Sequence, residues 1–187
     1  MPLYALGDRQ PRIDPSAFVH PDAVIIGDVT VGPESSIWPQ AVLRGDHGAI
    51  VVGAQTSVQD GTVVHCTSTL DTVIGSRCVI GHNAHLEGCR IEDGSLIGSG
   101  SVVLHRAVVG PNALVGAGAV VGNDKVVPPG ARALGVPARI TEDAVEPGHA
   151  DHRSMGHNLP GTPVETPTGR PYGEARGGRR AGRGHGT

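Results

Sequence analysis

Residues 91–127 read IEDGSLIGSGSVVLHRAVVGPNALVGAGAVVGNDKVV, and Ile91, Ile97, Val103, Val109, Val115, Val121 and Val127 fall in it at strict six-residue intervals. Four residues after an aliphatic position the residue is small, as at Ser95, Ser101, Ala107, Ala113 and Ala119. A helix repeats every 3.6 residues and a strand every two, so neither gives a period of six. A short flat strand followed by a tight turn does. The aliphatic side chain points in, the small residue fits the narrow interior, and Gly or Asn takes the bend. Three such sides close a triangular coil of eighteen residues.

The frame extends towards the N-terminus through Ile74, Ile80 and Leu86, then Val52, Val58 and Val64, then Ile13, Val19, Ile25, Val31, Ile37 and Leu43. Its nineteen aliphatic positions predict an all-β solenoid of about six triangular coils. Composition agrees: 187 residues hold only one Phe, one Trp and two Tyr against 29 Gly and 15 Pro, so small aliphatic residues must build the core. We expect this domain to occupy residues 1–140. Residues 141–187 form a Gly/Pro/Arg-rich tail, expected to be flexible, with at most one helical turn at Thr141–Glu146. Its end, 170–187, carries five Arg and one Glu, and too little aliphatic surface to offset the entropy of ordering.

No apolar run approaches the ~20 residues of a membrane span, and the N-terminus lacks the layout of a signal peptide. Cys66, Cys78 and Cys89 have no paired spacing, which suits a reducing cytosol, and they read as interior or turn residues. A net charge of −3 gives no reason to expect nucleic acid. The expected protein is therefore cytoplasmic, without membrane or nucleic-acid partners.

The frame slips three times. Leu43 to Val52 is nine residues, Val64 to Ile74 is ten, and Leu86 to Ile91 is five. Insertions in a solenoid become loops on one face, and that face is often the functional one. Arg44, His65 and Glu87 each follow a frame position directly. With the inserted residues discounted they stand one coil above another, about 4.8 Å apart as in any parallel ladder. Asp60 and His82 form a second column on a neighbouring side. Two columns pointing in different directions meet only across two copies of the chain, which predicts a closed oligomer, a trimer for a prism-shaped unit.

The runs Trp38-Pro39-Gln40-Ala41-Val42-Leu43-Arg44-Gly45-Asp46, Ser57-Val58-Gln59-Asp60-Gly61 with His65, Ile80-Gly81-His82-Asn83-Ala84, and Gly135-Val136-Pro137-Ala138-Arg139 together resemble the γ-class carbonic anhydrases, left-handed parallel β-helices of hexapeptide repeats. The resemblance covers about residues 10–140. It implies a homotrimer with a divalent metal, zinc or else iron or cobalt, at each subunit interface. It makes His65 and His82 metal ligands, Arg44 and Asp46 interface residues, and Gln59 and Asp60 the polar pair lining the site. The family's third ligand histidine is Glu87 here, and the acidic loop of active members is replaced by Cys66-Thr67-Ser68-Thr69.

The expected ligand set is therefore His65 and Glu87 of one chain with His82 of its neighbour. Gln59 would orient the reacting water, and Asp60 and His47 would move its proton, in reversible hydration of carbon dioxide slowed by the carboxylate ligand. His85 is expected to be a solvated turn residue, and His105 receives no role. The alternatives are a CoA-dependent acyltransferase or thioesterase of the same fold, and a catalytically silent structural homologue.

Overall fold

The computed structural model describes residues 3–142. They fold as a triangular prism of short parallel strands, with no helix among them. One face stacks Phe18–Val19, Ser36–Ile37, Ser57–Val58, Val79–Ile80, Leu96–Ile97, Leu114–Val115 and Arg132–Leu134. The second stacks Leu3–Tyr4, the first parts of Val24–Val31 and Val42–Val52, then Val63–His65, His85–Glu87, Val102–Val103 and Val120–Val121. The third stacks Arg12–Ile13, the ends of the same two long strands, then Thr72–Ile74, Arg90–Ile91, Val108–Val109 and Val126–Val127.

Each face has seven rungs, so the solenoid has seven turns rather than the six expected. The two uncounted end positions explain the difference. Leu3 pairs with Ile25 but precedes the six-residue spacing, and Ala133 pairs with Val115 but is too small to register as an aliphatic position.

Every frame residue from Ile25 to Val127 is buried, and so are the small residues that alternate with them around the prism. Inside the narrow prism even hydroxyls are satisfied, since an unpaired buried polar group is costly. Thr56 Oγ1 donates to the Gly75 carbonyl at 2.7 Å, and Thr62 Oγ1 to the Gly81 carbonyl at 2.8 Å.

The bends depart from expectation. Left-handed φ angles of 55–61° are taken by Glu34, Gln40, Gln55, Arg77, Arg106 and Asp124 as well as by Asn83 and Asn112. Stacking of successive turns offsets the steric cost of such a residue. Gln55 Nε2 donates to Glu34 Oε2 at 2.9 Å, and Arg106 forks onto Asp124 at 2.5 and 2.9 Å.

The expected helical turn at Thr141 is also corrected. Arg139–Thr141 is a strand, antiparallel to Arg132–Leu134 with Ala133 opposite Ile140, because the chain reverses at Gly135–Pro137 and β-prone residues follow an open rung. The flexible tail expected beyond it lies outside the described residues.

Candidate metal centre

The second face ends at the corner from which both inserted loops leave. Val42–Val52 runs around that corner and carries Arg44, Asp46 and His47. His65 closes the next strand and Glu87 the one after it. Arg44 pairs in register with His65, and His65 with Glu87, so the predicted column exists. Strand alternation turns Val64 and Leu86 inward, where both are fully buried, and leaves His65 and Glu87 facing out. Gly45 makes the corner passable: a Cβ there would lie 2.4 Å from the Asp28 carbonyl oxygen on the neighbouring coil. No larger residue lets the backbones approach so closely.

A chain of charge runs up this corner. The Arg44 guanidinium clamps Asp46 Oδ2. Asp46 Oδ1 lies 2.9 Å from His65 Nε2 and 3.2 Å from His47 Nδ1. On its other side the His65 ring meets Glu87 Oε1 through Nδ1 at 2.9 Å. Glu87 Oε2 faces His85 Nε2 at 3.5 Å and His105 Nε2 at 3.6 Å. Burial works against the charge on Asp46, yet hydrogen bonds from His65 and His47 and the charge of Arg44 hold its carboxyl well below the usual carboxylate range. Burial likewise opposes the charge on Glu87, and His65, His105 and His85 outweigh it, so this carboxyl is also lowered.

The remaining predicted residues stand elsewhere. Gln59 and Asp60 follow the strand Ser57–Val58 of the first face, and His82 follows Val79–Ile80 one coil on. His82 Nδ1 lies 3.0 Å from Asp60 Oδ2, with both side chains about half exposed. One chain thus gathers Arg44, Asp46, His47, His65 and Glu87 at one corner, and Asp60 with His82 at another. His85 belongs to the strand His85–Glu87 rather than to a turn.

His105 was missed by the sequence reading, although its spacing of eighteen residues from Glu87 was the available signal. Its Nε2 is buried, with Glu87 at 3.6 Å and no hydrogen-bond partner. Chemically the first corner suits a divalent cation. Imidazole and carboxylate donors converge, and the donor atoms of Asp46, His65 and Cys66 lie within 4.8 Å of one another.

Comparison with known proteins adds the following. A family model described as bacterial transferase hexapeptide (six repeats) matches residues 71–104 and 88–123. A Methanocaldococcus jannaschii protein named "Probable carbonic anhydrase" is 53% identical over 124 residues, 66% of this chain and 78% of that protein. "Gamma carbonic anhydrase 3, mitochondrial" of Arabidopsis thaliana is 49% identical over 98 residues, 49% of this chain but 38% of that protein. Among solved structures, a hexapeptide transferase family protein from Anaplasma phagocytophilum superposes with a TM-score of 0.79 at 35% identity, covering 83% of this chain and 93% of that one.

Proposed function

The chain belongs to the γ-carbonic-anhydrase-like family of hexapeptide-repeat proteins, and from that premise we propose that it catalyses reversible hydration of carbon dioxide as a metal-dependent homotrimer. The observation that carries this is the corner where His65 is held between Asp46 and Glu87, each 2.9 Å from one of its ring nitrogens. In the proposed assembly His65 and Glu87 of one chain and His82 of a second copy hold the metal. Bound there, a divalent cation would supply the Lewis acidity that makes water nucleophilic near neutral pH.

The chain's own residues do the rest. Gln59 orients the reacting water through its amide. Asp60 takes the released proton on its carboxylate and holds His82 through Nδ1. His47, exposed and 3.2 Å from Asp46, passes a proton to solvent. Arg44 fixes Asp46, so the corner keeps its shape as charge develops.

A carboxylate in place of a third imidazole adds negative charge and weakens the metal as a Lewis acid. The wild-type protein should therefore be a slow catalyst. Metal analysis of the purified protein beside a stopped-flow hydration assay tests this directly: Glu87→His should raise the rate, and Glu87→Ala should lose metal. Full metal content in Glu87→Ala, with loss in His85→Ala, would make His85 the third ligand and overturn the ligand set.

The resemblance to a transferase-family structure favours one second reading, acyl transfer from a CoA thioester in the groove between subunits. Stabilisation of the chelated protein by acetyl-CoA would support it.

A further inference from the structure

Cys66 has no part in the function proposed above. It follows the strand Val63–His65 at the metal-centre corner, where the second inserted loop begins, and its side chain is fully buried. Its sulfur lies between the two inserted loops. The Gly48 N–H donates to Sγ at 3.2 Å, and the Arg44 carbonyl oxygen stands 3.7 Å away. That approach needs glycine at 48, since a Cβ there would lie 2.6 Å from the Thr67 carbonyl oxygen and 3.5 Å from Cys66 Cβ.

Sγ shares its place with two other donors. The donor atoms of Asp46, His65 and Cys66 lie within 4.8 Å of one another, the only such group of three or more metal-ligating side chains among the described residues. Each donor also has an outer partner. Arg44 clamps the second oxygen of Asp46, Glu87 meets His65 at Nδ1 while Nε2 faces Asp46, and the Gly48 N–H points at sulfur. Outer partners of this kind fix ring orientation and tautomer in protein metal sites. The other two cysteines lack such surroundings. Burial pushes the Cys78 thiol up to about 11 and the Cys89 thiol up to about 12, and Cys78 Sγ donates to the Glu92 carbonyl at 3.2 Å.

We propose that one chain carries a mixed oxygen, nitrogen and sulfur metal seat made of Asp46, His65 and Cys66, with Glu87 acting on the ring from behind. This rests on the reading that His65 holds a metal, and it replaces Glu87 as the inner carboxylate. On binding, the Cys66 S–H bond breaks, the proton leaves to water, and the sulfur electron pair goes to the metal. Three donors from one chain leave a fourth position of a tetrahedral ion for water or for His82 of a second copy. A thiolate in the set selects zinc-like ions over magnesium or manganese.

Cobalt(II) reports on this directly, because a thiolate ligand adds an intense near-ultraviolet charge-transfer band that nitrogen and oxygen ligands do not give. The full chain, stripped with a chelator and kept reduced, would be titrated with cobalt(II). The expected result is one cobalt per chain with the band, retained in Cys78→Ser and lost in Cys66→Ser. The wild-type titration is decisive even should Cys66→Ser fail to fold. Cobalt bound without the band overturns the Cys66 seat and leaves the set of His65, Glu87 and a second copy's His82 standing. No cobalt bound overturns both readings. A band that survives in folded Cys66→Ser assigns the sulfur elsewhere and overturns the seat.

Discussion

The rungs between Leu43 and Ile91 and those from Ile91 to Ala133 share one core and differ in almost everything outside it. In the later rungs successive partners stand eighteen residues apart, as Ile97 with Val115 and Val103 with Val121. The described outer side chains there offer little more than the Arg106–Asp124 fork. In the earlier rungs two insertions stretch the spacing. Beside the first of them, the pairing of the two long strands shifts between Gly27 and Val29, and Asp46, His65, Cys66 and Glu87 crowd one corner. Inward residues are equally buried in both regions. Regular repetition supplies the stability, and departures from it place the chemistry. The core tolerates those departures because they leave inward positions untouched.

This division can be broken from either side. The largest effect is expected in the regular region: Ile97→Ala, at a fully buried rung, should lower unfolding free energy by about 2–5 kcal/mol in urea titration. Metal content per folded chain should stay unchanged. Next, Gly45→Ala forces a methyl against the Asp28 carbonyl oxygen at 2.4 Å. It should cost about 1–3 kcal/mol and, unlike Ile97→Ala, should lose metal.

Acid should separate the regions in the metal-free protein. Asp46 and Glu87 bind protons more weakly folded than their ordinary values of 3.8 and 4.5 imply. Their contribution is therefore whole above about pH 4.5 and is lost as pH falls below it towards the folded values. Hydrogen exchange should show amides of residues 44–52 and 63–66 losing protection in acid before those of 96–121, and Asp46→Asn should flatten the difference. The smallest effect belongs to Gly122→Ala, where an added Cβ meets nothing within 4 Å. It should leave stability unchanged or raise it by about 0.4–1 kcal/mol, read as a small rise in melting temperature.

Much of this was legible in the chain itself. The period of six is a backbone property repeated nineteen times, so the prism and its inward residues followed from spacing alone. The Arg44–His65–Glu87 column followed as well, because an inserted loop shifts the count without changing the register of the strands it joins. Side-chain direction within a corner was not legible. Spacing puts Glu87 above His65 but cannot say that it meets Nδ1 while Asp46 meets Nε2. Cys66 read as interior because its neighbour His65 faces out, and only the folded loop shows Gly48 reaching the sulfur. Leu3 and Ala133 were lost at the two ends, where a periodic signal is weakest.

The reversal at Arg139–Thr141 bears on how such a stack ends. A column of parallel strands exposes, at its last rung, unpaired backbone groups in the direction of growth, a template on which another copy can add. Here one face of that rung is already occupied by a strand running the opposite way, with Arg132 opposite Thr141 and Leu134 opposite Arg139. A newcomer continuing the parallel register finds those hydrogen bonds taken, and Arg139 adds charge along the new edge. The hairpin is thus a built-in stop against end-to-end fibre growth. A chain truncated after Leu134 should show its absence first as aggregation rather than as lost catalysis.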